Sequence, residues 1–376
     1  MKRHPVNRPR AKSPPPVAFY LIAVVVAVFV MLGLVVVLSA SSIAELHQGH
    51  SPWRLFNRQL TWALVGVLGL CVALRTPLLL WRRMVVPFLG VGFALMCLPL
   101  IPGVGSRVNS AAEWVTIGSF SFQPSEFLKL AVILYCADLL TTRQSQMGDL
   151  RRTFRPVMCV AGAAAALCLA QGDFGSAIVL IAIVFAVIFI GGAPIAPMAV
   201  AGALSSVAGL AFALSSKRRA DRFTAFMNVA GHKNGLGYQT WQAMIAVAQG
   251  GLTGQGPGRG GATLGGFLPL AQSDFIFAVV AQELGLVGVV AVLGGFLVLS
   301  YAGVQVALAT DDRFAALVAG GIVGWFVIQT TINAGGVTGM LPLTGLTLPF
   351  FSAGGSSLFV SMTAAGLLLN VARNVK

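Results

Sequence analysis

An aspartate that follows a basic, glycine-rich stretch is the residue with the clearest catalytic potential. Asp274 directly precedes the apolar run 275–280 and ends a segment that carries Lys217, Arg222 and Arg259. Its carboxylate could simply cap the helix that the apolar run predicts. It could also act as a general base, because burial at a border between water and an apolar medium, together with nearby cations, tunes the pKa of a carboxyl group.

Four other ionisable residues lie within or beside apolar runs, where a charge is costly. Glu126 and Lys129 are three residues apart on one face of a helix, so we expect an ion pair that locks helix packing, with a catalytic role as the alternative. Asp173 could cap the helix that follows it or bind substrate. Glu283 lies nine residues after Asp274 and half a turn away around a regular helix. The two carboxylates therefore do not form a glycosidase pair, and we expect Glu283 to contact neighbouring helices.

Basic residues gather in one long stretch between about Ser215 and Asp274. Its glycine-rich part, Gly250 to Gly266, offers backbone amides that can approach phosphate closely. It contains neither the Gly-Lys-Ser/Thr of a P-loop nor a dinucleotide fingerprint with its helix at the right offset. We expect this stretch to bind a polyanionic ligand through Lys217, Arg218, Arg219, Arg222, Lys233 and Arg259.

The composition sets the class of protein. Of the 376 residues 57% are apolar and 10% are charged, whereas an ordinary globular domain is about a quarter charged. The net charge of +14 sits in short clusters between apolar runs, as expected for loops that face anionic lipid. A soluble enzyme, a secreted disulfide domain and a disordered chain are excluded, and membrane lipids rather than nucleic acid are the expected partners. No cysteine or histidine spacing indicates a metal site.

The elements that must position these residues are membrane helices. We predict an all-α polytopic membrane protein with about ten transmembrane helices, since about 20 apolar residues cross a bilayer. Residues 1–16 form a basic cytoplasmic tail, and residues 17–376 form a single transmembrane domain with a large outer loop over about 215–275, between helices seven and eight. The predicted spans are 17–40, 59–77, 84–101, 123–142, 156–171, 174–191, 196–214, 276–308, 313–334 and 356–372.

The distribution of Lys and Arg predicts the orientation. With the N-terminus inside, fifteen of them fall in inner segments and three in the short outer loops. Because positive residues are retained on the cytoplasmic side, both termini are predicted to be cytoplasmic. The basic stretch after residue 215 then faces outward, which a long loop permits.

Several motifs, in one order along the chain, resemble those of the SEDS family, which includes FtsW and RodA. The similarity covers about residues 20–372, and the 38–42 and 346–349 segments look more like the FtsW branch. The motifs are Gln123-Pro-Ser-Glu-Phe-Leu-Lys129, Gly237-Tyr-Gln, Gly250-Gly-Leu-Thr-Gly-Gln-Gly256, Ser273-Asp-Phe-Ile-Phe-Ala278, Glu283-Leu-Gly-Leu-Val-Gly288 and Gly345-Leu-Thr-Leu-Pro-Phe-Phe-Ser-Ala-Gly-Gly-Ser-Ser357.

The resemblance implies a SEDS-type fold and a peptidoglycan glycosyltransferase that polymerises lipid II on the outer face of the bacterial cytoplasmic membrane, at the division septum. Asp274 matches the family's essential aspartate and is expected to be catalytic. The basic residues named above, with Gln239 and Asp173, are expected to bind substrate. We expect a supporting role for Trp114, Gln123, Glu126, Lys129, Glu283 and Ser356.

The resemblance also implies partners: lipid II and the growing glycan strand, a class B penicillin-binding protein that supplies transpeptidation, and other divisome proteins. No cofactor is assigned, and a divalent cation, Mg²⁺ or Mn²⁺, is left open. The alternative functions are an elongation polymerase of the RodA type, a lipid II flippase, and a non-catalytic scaffold for the penicillin-binding protein.

One departure from the family pattern changes the charge of the site. The chain has Ser110-Ala-Ala-Glu113-Trp114 where the family usually has Gly-Ala-Arg-Arg-Trp. Two positive charges are lost and a negative one is added, which implies altered donor binding, a different partner or weaker catalysis.

Overall fold

The computed structural model describes residues 16–102, 105–108, 111–118, 120–261 and 267–375. All but the last residue of the predicted basic tail, 1–16, lies outside this range, as do residues 262–266 of the glycine-rich stretch. The described helices are α1 (Val17–His47), α2 (Arg54–Arg75), α3 (Leu78–Arg83), α4 (Val85–Cys97), α5 (Pro124–Thr142), α6 (Arg155–Gln171), α7 (Phe174–Ile190), α8 (Ile195–Leu214), α9 (Lys217–Met227), α10 (Tyr238–Gly250), α11 (Ile276–Ala309), α12 (Arg313–Val337) and α13 (Gly355–Asn374).

The helices form the bundle of a polytopic membrane protein. Seven of the described helices are long and apolar enough to cross a membrane: α1, α2, α6 with the turn before it, α8, α11, α12 and α13. The apolar helices α4 and α7 are shorter. Helix α5 has 19 residues, and most of its side chains are buried. Each of the ten predicted spans therefore corresponds to a helix, and the predicted fold class is confirmed.

Small residues allow two of these helices to pack closely. Helix α13 runs along α2, and a side chain at Gly355 would collide with the indole of Trp62. At Gly366, an added Cβ would collide with the backbone of Leu70. Membrane helices gain little from burying apolar surface against one another, so close backbone approach through glycine strengthens their association.

A small sheet lies between α4 and α5, in a region where the sequence predicted only a loop. Strands β1 (Gly105–Val108), β2 (Ala111–Ile117) and β3 (Phe120–Phe122) pair antiparallel in the order β1-β2-β3. β2 packs against α5 and α6. The sheet therefore holds Glu113 and Trp114, both on β2, over one end of the bundle.

Helix α11 is broken at Gly285, which has φ 67° and ψ −161°. The segment 250–256 lies against the break, and its backbone hydrogen-bonds that of α11. The bonds are Gln255 N to Gln282 O (2.9 Å), Gly256 N to Glu283 O (3.0 Å), Leu286 N to Gly251 O (2.9 Å) and Val287 N to Leu252 O (3.2 Å). Backbone groups that a broken helix leaves unpaired must find partners in an apolar medium, and this loop supplies them.

This contact corrects the expectation that the whole glycine-rich stretch offers free amides to phosphate. The amides of Gln255 and Gly256 are already used by carbonyls of α11. A side chain at Gly250 or Gly254 would collide with the backbone of α11. In this part of the stretch, the glycines permit close approach of two backbones rather than of a ligand.

We expect Gly285→Ala to destabilise the protein by about 1–3 kcal/mol, because the alanine would carry a positive φ and its Cβ would meet Gly254 N and Leu252 O. Gly294→Ala is the matched control, because it lies in the same helix with open space around it and should leave stability equal or slightly higher. Thermal unfolding of the two purified variants measures the difference. Equal melting temperatures would contradict the proposed importance of the break.

Candidate active site

Three carboxyl groups from distant parts of the chain meet at one end of the bundle. Glu113 lies on β2, Asp173 lies in the turn between α6 and α7, and Asp274 lies just before α11. We call these three residues the carboxyl cluster. The charges of Asp173 and Asp274 raise the pKa of Glu113, and the charge of Asp173 also raises that of Asp274, so the three are electrostatically linked.

Gln123 connects two members of the cluster. Its side-chain amide nitrogen, Nε2, donates to Oε2 of Glu113 and to Oδ2 of Asp173, both at 3.2 Å. Its backbone N–H donates to Oγ of Ser356, at 3.1 Å. Gln123 precedes Pro124, the first residue of α5, and the residue before a proline favours extended backbone. The predicted supporting residues Gln123 and Ser356 are therefore in contact with each other beside the cluster.

Asp173 is held by the start of α7. Its Oδ1 accepts a hydrogen bond from Ser176 N at 2.8 Å, so the predicted capping role is confirmed. Its Oδ2 faces the amide of Gln123 and the hydroxyl of Ser125, at 3.4 Å. Gly172, with φ 86°, makes the sharp turn from α6 into this position. The carboxylate therefore caps the helix and belongs to the cluster at the same time.

Asp274 is positioned through its backbone. Nδ2 of Asn333 on α12 donates to Asp274 O (2.9 Å) and to Leu346 O (2.7 Å). Oγ of Ser352 donates to Ser273 O at 2.6 Å. Helix α11 begins after Phe275 without a side-chain cap, so the capping alternative for Asp274 is not supported. An added Cβ at Gly345 would lie 3.6 Å from Oδ2 of Asp274, and the bare glycine keeps the space beside this oxygen open.

The surroundings raise the pKa values of two carboxyl groups. For Asp274, burial raises the pKa to about 7; the negative charge of Asp173 adds to this, and a hydrogen bond from Ser273 opposes it. For Glu113, burial and then the charges of Asp173 and Asp274 raise the pKa to about 8. Glu113 also hydrogen-bonds Asp173, which requires a proton because ionised carboxylates only accept. At neutral pH, Glu113 is therefore mostly protonated and can donate to Asp173, while Asp274 is partly ionised.

The predicted ion pair of α5 lies deeper in the bundle. Nζ of Lys129 donates to Oε1 of Glu126 at 2.8 Å, and both side chains are at most 2% exposed. Nζ also donates to Oε1 of Gln329 at 3.0 Å and lies 5.7 Å from the ring of Trp325, both on α12. The pair is confirmed, and it joins α5 to α12.

Two more predicted supporting residues have defined contacts. Oε1 of Glu283 accepts a hydrogen bond from Oγ of Ser39 on α1, at 2.5 Å, so the expected contact with a neighbouring helix is confirmed. The side chain of Trp114 hydrogen-bonds Glu113. Glu283 therefore joins helices, whereas Trp114 belongs to the wall of the carboxyl cluster.

The predicted substrate-binding cations are spread along the 217–259 segment. Lys217, Arg222, Lys233 and Arg259 are exposed, and Gln239 is half-buried at the start of α10. Arg219 is used locally: its guanidinium lies 4.1 Å from the ring centre of Phe212 and donates to Ser215 Oγ at 2.6 Å. The side chain of Arg218 lies outside the described part. Among the described contacts, no ion pair joins these residues to the carboxyl cluster.

Sequence reasoning treated Glu113 as a departure from the family pattern and as a fallback candidate for the base. It considered Ser125 only for a Ser-x-x-Lys pattern that the spacing to Lys129 excludes, and it did not single out Asn333 or Ser352. Asn333 could have been identified from the sequence, because a polar amide within an apolar helix is costly unless it has a functional or structural role. The places of Ser125 and Ser352 depend on contacts across 48 and 79 residues, which no local pattern reveals.

Comparison with known proteins shows the family to which this chain belongs. A family model described as cell cycle protein, for FtsW, RodA and SpoVE, matches residues 19–376. This chain belongs to the FtsW, RodA and SpoVE family. The probable peptidoglycan glycosyltransferase FtsW of Trichlorobacter lovleyi is 38% identical over 344 residues, covering 92% of this chain and 90% of that protein. Stage V sporulation protein E of Bacillus subtilis is 36% identical over 353 residues, covering 94% and 96%.

Solved structures in this family have the same fold. One belongs to a peptidoglycan synthase complex that coordinates polymerisation and crosslinking; it has 28% identity and a TM-score of 0.78, with coverage of 94% of this chain and 97% of that one. The crystal structure of the rod shape determining protein RodA of Thermus thermophilus has 28% identity and a TM-score of 0.68, with coverage of 94% and 96%. The resemblance inferred from the motifs is confirmed.

We expect either Glu126→Gln or Lys129→Met alone to destabilise the protein by about 3–5 kcal/mol, because each leaves one buried charge without its partner. The double variant Glu126→Leu/Lys129→Met removes both charges and should recover much of the loss. The yield of monodisperse protein in size-exclusion chromatography and its melting temperature measure both effects.

The partly exposed pair of Arg82 and Asp138, 2.7 Å apart, supplies the control from the same helix. Asp138→Asn should cost less than about 1 kcal/mol, because exposed ion pairs contribute little. A single Lys129 variant that folds as well as the wild type would show that the buried pair is not structural.

Proposed function

We propose that this protein is a peptidoglycan glycosyltransferase that polymerises lipid II, with Asp274 as the general base. The observation that carries the proposal is the position of Asp274. It lies at the end of the bundle, held through its backbone, with a pKa near 7 and open space beside Oδ2. A base whose pKa lies near the working pH is the most effective. Relatives that match more than nine-tenths of the chain are named as probable enzymes of this kind.

The proposed reaction is a single displacement. Asp274 takes the proton of the acceptor sugar hydroxyl as that oxygen forms a bond to the anomeric carbon of the donor. The bond from this carbon to the pyrophosphate oxygen breaks, and the electron pair leaves with the lipid pyrophosphate. An α-linked donor then gives a β-linked product by inversion, so one base suffices. Cations of the 217–259 segment are suited to stabilise the leaving group.

The other two carboxyls support this base. A protonated Glu113 beside Asp173 carries less negative charge than an ionised glutamate would. It is therefore less repulsive to a pyrophosphate substrate and still leaves Asp274 able to ionise. This explains how the site tolerates glutamate at a position where the family usually has arginine: near neutral pH, the residue is largely uncharged.

The cellular setting is part of the proposal. The carboxyl cluster faces the outer side of the bacterial cytoplasmic membrane, both termini are cytoplasmic, and the enzyme acts at the division septum with divisome proteins. Its partner is a class B penicillin-binding protein. Support comes from the FtsW names of several relatives and from a solved relative in a complex that coordinates polymerisation and crosslinking.

The chemistry that we propose uses no metal ion. Among the residues that the structure describes, no three His, Cys, Asp or Glu side chains are placed to hold one. The carboxyl cluster does not fit such a site, so the chain's own residues carry every proposed step; the sequence left a divalent cation, Mg²⁺ or Mn²⁺, open. A flippase is not favoured, because Glu126, Lys129 and Glu283 are engaged with protein partners.

We expect Asp274→Asn to lower polymerisation by about 100-fold or more, the usual scale for the loss of a general base. The variant keeps the size and backbone contacts of the residue, so its folded yield should be unchanged. Gel analysis of glycan strands made from labelled lipid II by the protein with its penicillin-binding partner measures the rate. Asp311→Asn, an exposed carboxyl at the other end of the bundle, is the control. Near wild-type activity of Asp274→Asn would exclude the base assignment and leave a scaffold or flippase.

The pH dependence of polymerisation should have an acidic and an alkaline limb. Activity should rise with pH as Asp274 loses its proton near pH 7, and kcat/KM should fall above about pH 8, where Glu113 ionises and adds negative charge beside the substrate. Glu113→Gln still donates to Asp173 but cannot ionise, so it should keep the rise near pH 7 and lose the alkaline fall. Glu113→Arg, which restores the usual family residue, should also lack that fall. An unchanged alkaline limb in both variants would exclude Glu113 as its cause.

A further inference from the structure

A second feature of the bundle, away from the carboxyl cluster, has the shape of a lipid site. An apolar cavity of about 390 Å³ opens between α2, α3, α4, α5 and α13. A neighbouring hollow of about 460 Å³ shares Leu68 and Val72 with it and adds Arg75. We call the two together the α2 groove. Its lining from α2 is Val65, Leu68, Gly69, Cys71, Val72, Ala73 and Arg75.

The groove has the length of one lipid chain in one leaflet. Val65 and Arg75 are ten residues apart on α2, which corresponds to about 15 Å at about 1.5 Å per residue. The hydrocarbon core of a bilayer is about 30 Å thick. One acyl chain would therefore fill the groove from the interface to the middle of the membrane.

Only one end of the groove is polar. Arg75 lies there, exposed, and the described contacts give it no carboxylate or hydrogen-bond partner. Arg82 nearby is instead paired with Asp138 at 2.7 Å. Trp81 lines the same region, and its indole N–H is buried without an acceptor in the described part of the chain. An exposed guanidinium beside an apolar channel fits a phosphate above an acyl chain.

This polar end lies opposite the carboxyl cluster. On α13, Ser356 contacts Gln123 at the cluster, whereas Asn370 donates to Ala73 O (2.8 Å) and Thr76 O (2.6 Å) beside Arg75. Ser356 and Asn370 are fourteen residues apart, or about 21 Å along a helix. A lipid whose headgroup reacts at the cluster cannot also place that headgroup at Arg75.

We propose that the α2 groove binds one acyl chain of an anionic phospholipid, from the leaflet opposite the carboxyl cluster, with its phosphate at Arg75. The proposal does not depend on the enzymatic function. The unpaired positive charge selects an anionic headgroup over a zwitterionic one, and the apolar lining accepts any acyl chain.

The test uses the purified full-length protein, delipidated in detergent and given equal amounts of dioleoylphosphatidylglycerol and dioleoylphosphatidylcholine. Native mass spectrometry counts the lipids that remain bound. The wild type should retain one phosphatidylglycerol in preference to phosphatidylcholine. Arg75→Gln should lower that preference about tenfold, the scale of one charge-assisted hydrogen bond. Arg83→Gln is the matched control, because Arg83 is also exposed nearby but does not line the groove.

A variant that fills the groove distinguishes lipid binding inside the groove from electrostatic binding to a charged surface. Val72→Trp keeps Arg75 and fills the channel, so it should release the retained lipid, while an unchanged melting temperature confirms folding. Equal losses in Arg75→Gln and Arg83→Gln, or full retention in Val72→Trp, would overturn the proposal. A third outcome would also overturn the proposal: undecaprenyl phosphate displaces phosphatidylglycerol, and Arg58→Gln, at the other end of α2, abolishes binding. The occupant of the groove would then be the tail of a reacting lipid.

Discussion

A chain of polar contacts buried at the centre of the bundle determines how the rest is arranged. Lys129 on α5 bonds Glu126 and Gln329, and Nε2 of Gln329 donates to Thr347 O at 2.8 Å. Thr347 in turn contacts Ser357 at 2.8 Å. Polar groups in an apolar medium must be satisfied within the protein, so these bonds fix α5, α12 and the 345–357 segment relative to one another.

The site depends on this central chain. The 345–357 segment contacts the surroundings of Asp274 at two points. Ser352 donates to Ser273 O. The side-chain amide of Asn333 donates both to Leu346 O and to Asp274 O. The same segment includes Ser356, whose hydroxyl accepts a hydrogen bond from the backbone N–H of Gln123. Asp173, which precedes α7, and Asp274, which precedes α11, are thereby held at the same end of the bundle although they are 101 residues apart in the sequence. A rigid support of this kind lets a functional side chain keep its geometry.

The break in α11 provides backbone partners for the loop that precedes the helix. A regular helix satisfies its own backbone groups and would have none free to pair with the loop that precedes it. The left-handed conformation at Gly285 frees backbone groups of α11, and the 250–256 segment pairs with them. The loop that carries the cations is therefore anchored to the helix that begins after Asp274. Exposed Lys233 and Arg259 remain outside this anchored segment, so the cationic part of the loop stays accessible to a ligand.

The sequence by itself determined the helices and the family. Long apolar runs can cross a bilayer only as helices that satisfy their own backbone, and all ten predicted spans are helices in the structure. The pairing of Glu126 with Lys129 was also predictable, because a three-residue spacing places both on one face. For Asp173 the sequence left a capping role and a substrate-binding role open, and the structure shows the cap.

Tertiary structure alone decided the composition of the site. Glu113 and Asp173 are 60 residues apart, and Asp274 follows a further 101 residues later, so their meeting depends on how β2, the α6–α7 turn and α11 pack. Their pKa values follow from that meeting and from burial. The small sheet was missed because its strands are short and depend on pairing with each other and packing against α5 and α6. The close packing of Gly250 and Gly254 against α11 was also decided by tertiary structure, because the sequence does not show which backbone lies beside a glycine.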